Sequence, residues 1–240
     1  MWKTLSDTIL ALVYPQNCDA CNGEVESFGD GIACSNCWEA TKIFDGNETL
    51  CIKCGAFLFE GNSSDDLSCR RCTEHCYDRA ASVGIYERAL SASVLRLKRT
   101  PHAPLRLRRL FTAAFERIST HEYSVVIPVP LSSRRRHERG FNQAAVLGRV
   151  IAKHAELPLD ENSLVRRKHT LMHRAGMDNK ARGMTVKNAF EVVRPKLIEG
   201  RAVLLVDDVY TSGETASMCA SVLKEGGAST VNVLTVARAA

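Results

Sequence analysis

Residues 203–216 read VLLVDDVYTSGETA. Val203 to Val206 are continuously apolar, the mark of a strand buried on both faces. The run ends in two adjacent carboxylates, Asp207 and Asp208. Val209 and Tyr210 lead on into Thr211, Ser212, Gly213, Glu214 and Thr215, a loop that opens a helix over 213–228. A helix N-terminus presents unpaired backbone N–H groups and attracts an anion such as phosphate. The hydroxyls add donors, and glycine lets the backbone approach a ligand closely. The two carboxylates would repel a phosphate, so they call for a different group. Vicinal sugar hydroxyls suit them, because each carboxylate accepts hydrogen bonds from a diol. A phosphate beside a diol describes a ribose 5-phosphate. Paired aspartates after a strand could also bind Mg²⁺ directly or cap the helix, but neither use calls for a hydroxyl-and-glycine loop immediately afterwards.

The rest of the C-terminal part has the same character. SVGIY (82–86), VVIPVP (125–130), AVLLVDD (202–208) and STVNVLTVA (229–237) read as strands. Two helices follow the first; in the second, Leu107, Leu110, Phe111, Ala114, Phe115 and Ile118 share one face. A further helix is expected within 140–155, and Gly226-Gly227 stop the helix that begins at 213. Alternating strands and helices imply a mainly parallel α/β sheet, whose ligands bind outside the carboxyl ends of its strands. Residues 167–189 are polar and basic and read as a long loop.

Nine of the ten cysteines lie between residues 18 and 76. Eight form C-x-x-C pairs, Cys18/Cys21, Cys34/Cys37, Cys51/Cys54 and Cys69/Cys72, separated by 12, 13 and 14 residues. A C-x-x-C turn points two thiolates at one tetrahedral ion, so two Cys₄ zinc sites are expected. Sequential pairing is the simplest arrangement, with a crossed one open. A disulfide scaffold would suit a secreted chain, and a redox C-x-x-C would stand alone in a βαβ unit. Cys76 is left over, and Cys219 reads as a core residue. This cysteine-rich region is poor in apolar runs and needs metal to hold it together; its simplest role is a structural clip. The chain divides into residues 1–78, with an N-terminal helix carrying Trp2, Leu5, Ile9, Leu12 and Val13, and residues 79–240.

The formal charge is +5, but eight thiolates on two Zn²⁺ would remove most of that excess, so local clusters matter more. Residues 91–115 hold six Lys and Arg and no acid, and RRRHER occupies 134–139. No apolar stretch is long enough for a transmembrane helix, and no cleavable signal is expected at the N-terminus, whose short apolar part is interrupted by Asp7. A cytoplasmic location is expected.

VLLVDDVYTSGETA resembles the phosphoribosyl-pyrophosphate (PRPP) motif of type I phosphoribosyltransferases. More narrowly, the chain resembles the ComF (competence protein ComF) family, which joins a zinc ribbon to such a domain. The resemblance rests on the cysteine pairs, IPVPLSSRRRHERGFNQA (127–144), NAFEV (188–192), the PRPP loop and the closing VNVLTVAR. The string R-x-x-R-G-F-N-Q, from Arg136 to Gln143, is its most specific part. His173 and Thr185 stand where members often carry Gln and Asn.

The resemblance implies a type I phosphoribosyltransferase fold. It also implies a Mg²⁺-dependent transfer of a pentosyl group from PRPP, with pyrophosphate leaving. Asp207 and Asp208 would hold the diol and residues 211–215 the 5-phosphate, with Val209 and Tyr210 also within the PRPP-binding segment. Lys98, Arg99, Arg136, Arg139 and Arg182 are the candidates to face pyrophosphate, and 167–187 would form a hood over the site. The family is linked to DNA uptake. A second reading therefore makes the chain a single-stranded DNA-handling protein that uses this fold as a platform, beside other competence proteins. Intact carboxylates favour retention of the ribose-phosphate ligand. If both Cys₄ sites exist, complete chelation releases about two zinc ions per chain; a yield near one or zero would contradict the reading.

Overall fold

The computed structural model describes residues 13–27, 31–58, 69, 72–119, 122–167 and 189–239. The expected N-terminal helix, apart from Val13, and the hood, apart from Arg167, lie outside them, and with the hood His173, Arg182 and Thr185. The described chain contains helix α1 (Ser35–Glu39), strand β1 (Arg79–Ile85), α2 (Arg88–Leu97), α3 (Leu105–Ile118) and β2 (Val125–Pro128). Then come α4 (Ser133–Arg139), α5 (Gln143–His154), β3 (Leu164–Arg166), β4 (Phe190–Val192), β5 (Ala202–Tyr210), α6 (Glu214–Glu225) and β6 (Thr230–Arg238).

The main sheet has the order β1-β6-β5-β2, and every pair in it is parallel. β3 and β4 form a separate antiparallel pair. Parallel strands need both faces covered, and alternation along each strand meets that need. On one face Val126, Leu204, Val206 and Leu234 pack with α2, α3 and α5. On the other, Ile127, Val203, Leu205 and Val231 pack beneath α6 and β4. The expected parallel α/β sheet flanked by helices is the architecture found.

Several boundaries differ from the expectation for local reasons. β5 continues through Val209 and Tyr210, because both keep pairing with Ala237 and Arg238 of β6. β2 ends at Pro128. The basic segment RRRHER, to which the sequence assigns no element, lies in α4. Ser132 caps it by accepting the Arg135 N–H at 3.3 Å, and Gly140 ends it in the left-handed region at φ 74°.

The cysteine-rich segment is built into this sheet. Residues 42–44 add an antiparallel bridge to the free edge of β1: Phe44 N–H donates to the Val83 carbonyl and Ile85 N–H to the Lys42 carbonyl. An open edge is thereby covered. Thr41 Oγ1 accepts the Ala89 N–H at 3.1 Å and so satisfies the start of α2. Trp38 is buried against the α2–α3 layer, with the Arg106 guanidinium over its ring. At Gly84 a Cβ would collide with the Lys42 carbonyl and lie 2.9 Å from Leu90 Cδ1. Gly84→Ala should therefore destabilise the protein by about 2 kcal/mol, read as a lower denaturant midpoint; an unchanged midpoint would show that this contact does not constrain the fold.

Candidate functional site

The site forms at the carboxyl ends of β5 and β2, which are neighbours in the sheet. β5 delivers Asp207 and Asp208 as it emerges from the core. Asp207 Oδ1 accepts the backbone N–H of Asp208 at 2.9 Å. The Asp208 carboxylate meets two partners from distant elements. Lys98, at the end of α2, places Nζ 3.9 Å from Oδ2. Gln143, the first residue of α5, donates Nε2–H to the same oxygen at 3.2 Å. Burial, reinforced by the adjacent Asp208 charge, pushes the Asp207 carboxyl up to about 8, against the opposing pull of the Asp208 amide and Lys98.

The string R-x-x-R-G-F-N-Q acquires a local explanation. Arg136 and Arg139 lie on α4, Gly140 stops that helix, and Asn142 starts the next. The Asn142 side chain accepts the Ala144 N–H and donates to the Val129 carbonyl at 3.0 Å, fixing α5 to the end of β2. That tie directs Gln143, only 4% exposed, back to Asp208. Its Oε1 and the Nη1 of Arg139 are buried without a hydrogen-bond partner among the described residues. Buried polar atoms are seldom left unpaired, so both are available to a ligand. Arg136 and Arg99 are exposed. Gln143 was not singled out from sequence; its signal was its place as the closing residue of the string, at a helix start facing the sheet.

Tyr210 faces the core rather than the loop mouth. It is buried, its hydroxyl is 2.6 Å from that of Tyr77, and Arg238 stacks on its ring. Val209 is partly buried against the α2–α3 face. Thr211, Ser212, Glu214 and Thr215 are exposed, whereas Gly213 is buried. Gly213 stands at φ 84°, where other residues are strained, and a Cβ there would strike the Tyr210 hydroxyl. Ser212 Oγ is 3.4 Å from the Glu214 N–H that opens α6. The hollow beneath the loop, about 20 Å³, is too small for a sugar phosphate. The loop thus lies beside a carboxylate pair of which one member, Asp208, is already bridged to an ammonium and an amide.

The cysteines pair sequentially. Cys18, Cys21, Cys34 and Cys37 form one tetrad, and Cys51, Cys54, Cys69 and Cys72 the other, with all sulfurs in each within 4.8 Å of one another. Tetrahedral zinc with Zn–S of about 2.3 Å requires S···S of about 3.8 Å. Cys21···Cys34 is 3.7 Å, and Cys51···Cys72 and Cys54···Cys69 are both 3.5 Å. Burial opposes ionisation of Cys18 and Cys51, yet backbone N–H donors pull both thiols down to about 7. Both tetrads fit structural zinc. Cys76 belongs to neither, and Cys219 is buried in the core as expected.

These features define a parallel α/β domain with an acid–acid–glycine-loop–helix site, joined to a double tetracysteine module. The pattern of the double zinc ribbon domain family matches residues 9–73. Competence protein F of Haemophilus influenzae is 31% identical over 231 residues, covering 92% of this chain and 96% of that one. The DNA utilization protein YhgH of Shigella flexneri is 30% identical, covering 85% and 89%. Competence protein ComFC of Bacillus subtilis is 28% identical over about half of each chain. A glutamine PRPP amidotransferase from B. subtilis, solved with ADP and GMP, overlaps 62% of this chain and 27% of that chain at 21% identity, with a TM-score of 0.39. That overlap is too loose to bear on the assignment. The chain belongs to the ComF family of competence and DNA-utilization proteins. No helix among the described residues is long and apolar enough to cross a membrane.

The native state keeps a proton on Asp207 that an unfolded chain, with the ordinary value of 3.8, has already released. This contribution to stability is fully present below about pH 4 and is lost as pH rises toward 8. Asp207→Asn should raise the melting temperature by about 3 °C or more at pH 8 and by less at pH 5. Equal shifts at both values would contradict the burial of this carboxyl.

Proposed function

We propose that the chain binds the ribose 5-phosphate part of PRPP, with Asp207 and Asp208 holding the 2- and 3-hydroxyls and residues 211–215 holding the phosphate. The observation that carries this reading is the carboxylate pair at the end of β5, where Asp207 lines the hollow beneath the Gly213 loop and Asp208 is steadied by Lys98 and Gln143. A carboxylate held in this way is oriented before the diol arrives, which reduces the ordering cost of binding. Lys98, one-third exposed, adds little stability through so long an ion pair. Its positive charge is better used beside an anionic ligand. Tyr210 and Val209 contribute through the backbone and through support of the loop from below.

Arg139, with its buried unpartnered Nη1, is a candidate to meet pyrophosphate beside Lys98, and Arg136 stands one turn earlier on the same helix. Half-buried carboxylates are the hard oxygen donors that Mg²⁺ prefers, so Asp207 and Asp208 suit a PRPP–Mg²⁺ complex. The ion would neutralise charge on the departing pyrophosphate. Pentosyl transfer to an acceptor then breaks the C1–O bond to pyrophosphate and forms a bond from C1 to the acceptor's nucleophilic atom. Residues 1–78 carry the zinc and 79–240 the ligand site in this proposal.

A second reading has its own support. Arg135 and Arg136 are exposed on α4 next to the site, and the relatives are named for competence and DNA utilization. Phosphate-tracking cations of this kind suit single-stranded DNA.

Calorimetric titration of PRPP into zinc-loaded protein, with and without Mg²⁺ and beside Asp207→Asn/Asp208→Asn, tests the first reading. Mg²⁺-dependent binding that the double variant loses by at least about tenfold supports it. Unchanged affinity in the variant contradicts it. Single-stranded DNA affinity that falls steeply with salt, and falls again on Arg135→Glu, supports the second reading; salt-insensitive binding contradicts it.

A further inference from the structure

The second cysteine tetrad lies directly behind the loop that the ribose-phosphate reading uses. Three residues past its last ligand, His75 Nε2 is 3.1 Å from the Ser212 carbonyl oxygen. A carbonyl oxygen only accepts, so Nε2 must carry the proton. The His75 ring stacks on Tyr77 at 5.2 Å between centroids, and Tyr77 in turn meets Tyr210 beneath the loop. One turn into α6, Ser217 Oγ accepts the Cys76 N–H at 3.0 Å. The turn that carries His75 is itself tied to the opposite knuckle: Lys53 Nζ donates to the His75 carbonyl at 2.8 Å and to that of Thr73 at 3.3 Å. The His75 N–H closes on the Cys72 carbonyl at 3.2 Å. An ion that joins Cys51 and Cys54 to Cys69 and Cys72 therefore also fixes where His75 stands.

The consequence follows from peptide geometry. In a trans peptide the C=O and the next N–H point in opposite directions. With the Ser212 carbonyl turned toward His75, the Gly213 N–H must point away from it. Glycine at φ 84° tolerates both signs of φ, so nothing in Gly213 itself prevents this peptide unit from flipping. Flipping would turn a carbonyl oxygen, rather than an N–H, toward any anion on the outer side of the loop.

We infer that the second cysteine tetrad, acting through the positioning residue His75, locks the 212–213 peptide in its anion-accepting orientation, so that zinc occupancy and ligand binding at the loop depend on each other. The inference rests on the ribose-phosphate reading for the identity of the ligand and on the His75–Ser212 contact for the coupling. Coupling between two sites is reciprocal: zinc strengthens binding at the loop, and a ligand on the loop slows zinc loss from this tetrad. The first tetrad, which packs on the other face of the sheet among α2 and α3, has no such effect.

The test uses the zinc-loaded full chain, with zinc content measured for each variant. Hydrogen exchange of the 211–216 amides should quicken about fivefold in His75→Ala, with two zinc ions retained, and return toward the original rate in His75→Gln, whose amide can donate to the same carbonyl. Unchanged exchange in His75→Ala would overturn the inference. Should His75→Ala lose zinc, heteronuclear NMR of the unaltered protein decides instead: a protonated Nε2 that exchanges slowly supports the contact, and a bare Nε2 refutes it. Saturating ribose 5-phosphate should slow zinc transfer to a chelator for one ion of the two, and His75→Ala should abolish that difference. Equal slowing of both ions, or slowing that persists in His75→Ala, would refute the coupling. Absence of any ribose 5-phosphate binding to the unaltered protein would sink the reading of the ligand, while exchange and tautomer would still judge the contact.

Discussion

The rest of the structure is arranged around a carboxylate pair carried to the edge of a dry core. β5 is flanked by β6 and β2 and buried along most of its length, so Asp207 and Asp208 emerge where water cannot fully solvate them. Charges in such a place need partners. The fold supplies an ammonium from α2 and an amide from α5, two residues about 45 positions apart in the chain that converge on Asp208. Full neutralisation is not reached, since Asp207 retains its proton past the usual carboxylate range. A group that costs stability in the free protein is most simply explained by what it later binds.

The zinc-bearing segment is more than an appendage to this arrangement. One tetrad joins the core on the α2–α3 face and the other the core on the α6 face. Between them, residues 42–44 cover the edge of β1. Arg238, the last residue of β6, donates to the Cys54 carbonyl at 2.6 Å, so the sheet and the second knuckle share hydrogen bonds as well as apolar surface. A segment too polar to form its own core thus borrows two, and metal supplies the remaining order. The clip and the ligand loop become parts of one mechanical unit.

Much of this was legible in the sequence because the signals were local. Continuous apolar runs ending in Asp207-Asp208 gave a buried strand, Gly213 gave the turn, and four C-x-x-C pairs gave two metal sites, whose sequential pairing the fold decides. What stayed hidden depended on contacts across the fold. The extension of β5 through Tyr210 comes from pairing with β6, not from residue preference. α4 carried no helical signal because its polar composition has no apolar face; its helix rests on caps at Ser132 and Gly140. Gln143 became a site residue only when β2 and α5 were seen to converge on β5. His75 carried no signal at all, since its partner Ser212 lies 137 residues away.

The central claim is that the two carboxylates are there for a sugar diol. Its most direct measurement compares ribose 5-phosphate with 2-deoxyribose 5-phosphate by calorimetric titration at one pH and ionic strength. The account predicts that the ribose compound binds at least about tenfold more tightly, because the deoxy sugar leaves a half-buried carboxylate without its hydroxyl donor. Equal affinities would contradict it and would point instead to a surface that accepts the deoxyribose backbone of DNA.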